Sequence, residues 1–155
     1  MTRFVYGDRI GKMAKLGVGC NAIIFDVARH HVLLLKRADN GWWCLPGGRM
    51  NARESVSEAC LREVAEETGL QVRIKRLVGI YTDPHRITAY DDGNCFHFVS
   101  FAFEIEPTAG EIRISAESTA YRYFSVDELS NIQLLEPHRE QIRHALTDQI
   151  APFIL

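Results

Sequence analysis

Residues 55–69 constrain this chain more than any other stretch. Ser55 with Glu58 three positions later forms a capping box, in which each residue's side chain satisfies the other's free backbone N–H at a helix start. Val56, Ala59, Cys60 and Val64 then recur at helical spacing, and Gly69 is the natural C-terminal stop. The pattern predicts a helix with one buried face. Glu63, Glu66 and Glu67 stand on it at intervals of three and four, so at roughly 100° per residue they share a sector of about 100°. Neighbouring acids of this kind repel by roughly a few tenths of a kcal/mol per pair, and a divalent cation relieves that repulsion. Carboxylates without Cys or His suit a hard ion. Mg²⁺, with Mn²⁺ as its substitute, takes few protein oxygens and leaves positions for water and phosphates. An acidic helix face also serves solubility, so the triplet alone leaves both readings open.

The bulk numbers bound the rest. A length of 155 residues predicts one domain over residues 1–155 with a substantial core. The 46% hydrophobic and 25% charged content is that of a soluble globular protein. Lys and Arg number 18 against 20 Asp and Glu, with no basic tract, which disfavours binding to long nucleic acids. The positive charge needed for an anionic ligand must then be local, from a metal ion or a few arginines. Cys20, Cys44, Cys60 and Cys95 lack the paired spacing of a zinc site, and no secretory leader precedes them. They read as buried or half-buried thiols in a reducing, cytoplasmic setting. Apolar runs such as 22–25 and 32–35 are far below membrane-spanning length. The six histidines form no ligand spacing.

Residues 16–25 and 31–36 read as a strand pair around a turn at 26–30. Residues 37–50 form a glycine-containing loop able to approach a ligand closely. Strands follow over 71–80, 95–105 and 120–124, separated by polar segments at 82–94 and 106–119. Ser125 with Glu128 opens a short helix. Pro137 begins a last helix whose Ile142, Ala145, Leu146 and Ile150 make an apolar stripe, so it reads as packing material. The order of elements predicts an α/β fold with a mixed sheet flanked by helices on both faces.

Residues 48–70, GRMNARESVSEACLREVAEETGL, fill every specified position of G-x5-E-x7-R-E-U-x-E-E-x-G-U, with U aliphatic: Gly48, Glu54, Arg62, Glu63, Val64, Glu66, Glu67, Gly69 and Leu70. On these residues the chain resembles the Nudix hydrolase family. WCLPGG at 43–48 and YFSVDEL at 123–129 extend the resemblance over most of the chain. It implies an α/β/α sandwich with a central mixed β-sheet. It also implies Mg²⁺-dependent attack of water on a phosphoanhydride. Glu63 and Glu67 are then the principal metal ligands, with Glu66 a further ligand or acid partner and the Gly47 carbonyl an additional oxygen. Arg62 then orients the glutamates with a bidentate contact, and Glu54 pairs with Arg62 or reaches a metal through water. Glu117 is the first choice for a general base and Glu111 a weaker one, although Ala120 and Tyr121 stand where the family has a second acid.

The substrate side rests on Arg37, Arg86, Gly48, Trp43 and Tyr81, with Trp42 and Phe96 as further stacking candidates. YTDPHR at 81–86 resembles the proline pattern of the family's ADP-ribose pyrophosphatases. The leading expectation is a small nucleoside diphosphate derivative such as ADP-ribose. Hydrolysis of a modified nucleoside triphosphate and a non-catalytic nucleotide sensor stay open beside it. The resemblance also implies a homodimer.

Overall fold

The computed structural model describes residues 2–147 and 149–155. In chain order the strands are β1 (Arg3–Tyr6), β2 (Lys15–Ile24), β3 (His31–Arg37), β4 (Trp43–Cys44), β5 (Gly47–Arg49), β6 (Gln71–Thr82), β7 (Arg86–Ala89), β8 (Cys95–Ala109), β9 (Ser118–Ser125) and β10 (Phe153–Ile154). The helices are α1 (Val56–Thr68) and α2 (Glu136–Ala145). Short 3-10 turns cover Ile10–Met13 and Val126–Asn131.

The expected capping box is present, with Ser55 accepting from the Glu58 N–H and Glu58 accepting from the Ser55 N–H. Gly69 closes α1 at φ 72°, the left-handed conformation a glycine adopts without steric cost. The centre of the molecule is β8. It runs parallel to β2 from Lys15↔Phe96 to Ile24↔Ile105, while β7 and then β6 pair antiparallel along its other edge. The sheet is therefore mixed, as expected. A smaller sheet holds β4, β3 and β9 in that order.

Both faces of the large sheet are covered. Cys20, Ala22 and Ile24 of β2 pack with Ala59, Cys60 and Val64 of α1. Ile23, on the alternate face, packs with Val78, Ala102 and the α2 residues Ile142 and Ala145. A strand covered on both sides shows a continuous apolar run because its two-residue alternation has no polar face. That is the pattern of residues 22–25.

Several expectations change. Segments 16–25 and 31–36 do not form a hairpin: only Phe25 and Val32 bridge, and β2 and β3 enter different sheets. The polar segment 82–94 contains β7, whose Ile87, Thr88 and Ala89 are buried because β1 and β8 flank it. The apolar stripe of α2 ends at Leu146, and Ile150 lies beyond the helix, 92% exposed. The first turn of α2 lines a cleft and is more than packing material.

Candidate active site

The glycine strand β5 pairs antiparallel with β2, placing Gly47 opposite Asn21 and Gly48 opposite Cys20. This presents Gly47 and Gly48 to the polar side of α1. The Gly47 N–H donates to Glu67 Oε2 at 2.8 Å. A Cβ added to Gly48 would lie 2.4 Å from the Glu63 carboxyl carbon, so only glycine leaves that carboxylate its place. Burial raises the carboxyl groups of both acids above the ordinary range, and Glu67 reaches about 7. Arg62 and the Gly47 N–H act in the opposite direction on Glu63 and Glu67 respectively. The nearby charge of Glu117 raises both.

Arg62 organises the acids on its own helix. It makes a bidentate pair with Glu54, Nε to Oε2 at 3.0 Å and Nη2 to Oε1 at 2.7 Å, and its Nη1 reaches Glu63 at 2.9 Å and Glu66 at 3.1 Å. Arg62 Nη2 also donates to the Arg49 carbonyl, tying α1 to β5. The guanidinium holds the Glu54 carboxyl down at about 2. Glu66 is the most exposed of the three helix acids, its side chain 59% exposed and bonded to Arg62 at 3.1 Å, and its charge raises the Glu63 carboxyl.

Among the described residues no three Asp, Glu, His or Cys side chains form a metal-ligand group. The donor set that fits a hard cation is two carboxylates, Glu63 and Glu67, beside backbone oxygen of the glycine strand. Their burial without a dedicated cationic partner for Glu67 favours such an ion. Mg²⁺ characteristically uses one or two carboxylates together with substrate phosphates.

A cleft opens beside Glu67, lined by Gly47, Gly48, Arg86, Pro137, His138 and Gln141, with His138 bonded to the Leu45 N–H and Gln141 to Asn21, the β2 residue opposite Gly47. Of the sequence-based candidates, Arg37, Arg86 and Gly48 line it. The Arg37 guanidinium is engaged by Asp39 at 2.9 and 3.0 Å and by Thr2 at 3.1 Å. Arg86 lies over the Phe4 ring at 5.4 Å.

Trp43 and Tyr81 are corrected, since neither is among the residues lining this cleft. Trp43 packs edge-on against Phe124 at 4.7 Å, and its backbone bonds to Gln133 and Leu135, holding the start of α2 beside residues 43–45. Tyr81 is 4% exposed and bonded through its hydroxyl to His144 at 3.0 Å. Both positions look ring-rich and ligand-ready in sequence, and the core claims them.

The aromatic residues that do line the cleft are Phe4, Tyr90 and Phe98. Phe98 stacks on Phe96, over which the Arg49 guanidinium lies at 4.9 Å. Phe96, Phe98 and Ser100 share one face of β8 by alternation, a signal available in sequence. Nothing local announces Phe4, because β1 reaches the cleft only by pairing with β7. Glu117 is exposed in the loop before β9, where its carbonyl accepts from the Ala38 N–H. Glu111 is also exposed.

Arg62→Lys tests this arrangement. Lysine keeps the charge but cannot reproduce the bidentate fork and the simultaneous contacts. Turnover should fall by roughly 10- to 100-fold with a weaker apparent Mg²⁺ affinity, measured by metal titration of the initial rate. Unchanged rate and metal dependence would remove Arg62 from its organising role.

This mixed sheet between two helices is the fold shared with solved Nudix hydrolases. One from Nitrosomonas europaea superposes with a TM-score of 0.71 at 24% identity, covering 91% of this chain and 79% of its own. The chain belongs to the NUDIX domain family, whose model matches residues 15–148. Among curated relatives, a MutT-like protein of Streptomyces ambofaciens is 37% identical over 99 residues, 64% of this chain. An ADP-ribose pyrophosphatase of Methanocaldococcus jannaschii is 34% identical over 104 residues, 65% of this chain. The match spans 58% of the length of each of these two relatives.

Proposed function

We propose that this protein is a pyrophosphohydrolase that opens the phosphoanhydride of a nucleoside diphosphate joined to a second group, with ADP-ribose as the reference compound. The carrying observation is the pair Glu63 and Glu67, raised by burial and set against Gly47 and Gly48 at the mouth of an arginine-bearing cleft. Membership of the NUDIX family and similarity to the ADP-ribose pyrophosphatase of M. jannaschii support it.

Glu63, Glu67 and the Gly47 carbonyl would hold Mg²⁺, or Mn²⁺ in its place. The bound ion would neutralise diphosphate charge and make water a better nucleophile. The protein's own part is positional. Arg62 and Glu54 fix the glutamates, and Arg86 and Arg37 supply positive charge to the cleft. Glu117 is the residue we assign to proton acceptance, because its charge reaches both metal-binding glutamates from a separate loop. Among the described residues no helix is long and apolar enough to cross a membrane. A reducing cytoplasmic setting, in which the four free cysteines persist as thiols, completes the proposal. A homodimer is its proposed oligomeric state.

The test is a substrate panel with Mg²⁺ or Mn²⁺, identifying products by chromatography. ADP-ribose should yield AMP and ribose phosphate without inorganic pyrophosphate. Pyrophosphate release from triphosphates alone would replace this reading by the triphosphatase one. No hydrolysis of any compound by protein that binds nucleotide would make it a sensor. Glu117→Gln should lower the rate roughly 100-fold or more if it accepts the proton.

A further inference from the structure

Two side chains of α2 face the cleft with hydrogen-bonding capacity that the protein does not use. Gln141 is 1% exposed and lines the cleft. Its Oε1 accepts from Asn21 Nδ2 at 2.9 Å, which leaves its Nε2 without a protein acceptor among the described residues. His138 also lines the cleft, and its Nδ1 accepts from the Leu45 N–H at 2.9 Å. Burial, with Arg37 and Arg86 close by, pushes this imidazole down to about 3, so the ring is neutral. A neutral ring whose Nδ1 is an acceptor carries its proton on Nε2. That N–H has no protein partner among the described residues either.

His138 and Gln141 stand three apart on one helix, which places them on the same face as neighbours. The site therefore offers two adjacent donors. Phe4, Tyr90 and Phe98 line the same cleft with flat apolar surface, suited to stacking on a planar ring.

We propose that His138 and Gln141 read the base of the nucleotide, and that they select a 6-oxopurine over a 6-aminopurine. Guanine and hypoxanthine place two acceptors, O6 and N7, side by side on one edge. Adenine pairs the N7 acceptor with an amino donor. With adenine, the amino group would face a donor and leave both unpaired in a buried place, which is how polar sites reject near-isosteres. The inference rests on the nucleotide reading above but concerns the base alone. It makes the guanine and hypoxanthine counterparts of ADP-ribose better ligands than the reference compound.

The experiment is calorimetric titration of the full chain, with Mg²⁺ present, using GMP, IMP and AMP as probes, so that no turnover is required. GMP and IMP should bind roughly 10-fold or more tightly than AMP. His138→Asn keeps an acceptor for the Leu45 N–H, but its shorter side chain cannot place a donor where Nε2–H stands. It should lose most of the GMP affinity while its melting temperature stays near that of the wild type. Gln141→Glu replaces the donor by an acceptor and should erase or reverse the base preference. AMP binding as tight as GMP, equal losses for both nucleotides in the variants, or no binding of any of the three would overturn the proposal. Hydrolysis without base preference would sink this inference and leave the hydrolase reading standing. Base-selective binding without hydrolysis of any panel compound would do the reverse.

Discussion

Glu67→Gln is expected to lower turnover by on the order of 10³-fold while making the metal-free protein more stable at pH 8. Both effects come from one buried carboxylate. Burial, reinforced by the charges of Glu63 and Glu117, raises Glu67 to about 7 from an ordinary value of 4.5, against the opposing pull of the Gly47 N–H. Between those values the folded protein binds the proton more tightly than the unfolded chain does. Stability from this group is therefore fully present below about 4.5 and is lost as pH rises through about 7. Glutamine has no proton to surrender, and its carbonyl oxygen still accepts from the Gly47 N–H.

The measurement is a set of thermal melts of wild type and variant from pH 5 to pH 8, with and without Mg²⁺. The wild-type melting temperature, taken relative to the variant, should fall across that range in the absence of metal. Mg²⁺ should restore it most at pH 8, because an ion that binds only the folded state stabilises it by mass action. Metal binding must displace the Glu67 proton, so apparent Mg²⁺ affinity should weaken as pH drops below about 7. A variant with wild-type turnover would end the metal-ligand assignment. A wild-type curve parallel to that of the variant would end the account of the buried proton.

Gly47→Ala should damage the fold itself, with a loss of about 2–4 kcal/mol and a melting temperature lower by roughly 4–16 °C. Gly47 has φ 149°, and an added Cβ would sit 2.2 Å from the Cys20 carbonyl oxygen and 2.9 Å from the Asn21 Cα. Those are backbone atoms of the paired strand and cannot step aside without breaking the β2–β5 register. Gly48→Ala is the contrasting case, since the obstructing group there is the Glu63 carboxylate at 2.4 Å. A side chain can swing away. That variant should melt near the wild-type temperature yet bind Mg²⁺ roughly 10-fold more weakly. Two adjacent glycines thus separate strand geometry from metal binding. Equal melting temperatures for the two variants would refute the distinction.

The helix carrying the acids was legible in sequence because everything that makes it is local. Ser55 and Glu58 lie within one turn, Val64 and Glu67 are placed by the helical repeat, and Gly69 ends the run by its own conformational freedom. The family resemblance, not local spacing, implied a pairing of Arg62 with Glu54, and the structure shows them paired. Sequence spacing could not show that Arg62 would hold Glu66 out towards solvent. Only the direction of a guanidinium between several acceptors decides that.

Strands 15–24 and 31–37 were each recognisable from apolar content, but their destinations were not. Strand pairing is chosen by residues far away in the chain, and β8, some eighty residues on, wins β2. Rings behaved likewise: Tyr81 is taken by His144 and the core, while Phe4 reaches the cleft through a pairing with β7 that no local rule announces. The sequence by itself determined the family, the acid-bearing helix and its caps, since these depend on neighbours within a few residues, whereas the glycine segment read as a loop becomes a strand only by pairing with the distant β2. Tertiary structure alone decided that Glu63 and Glu67 are buried against Gly48 and Gly47 and that α2 turns His138 and Gln141 into the cleft, because burial and partner choice are properties of the assembled fold.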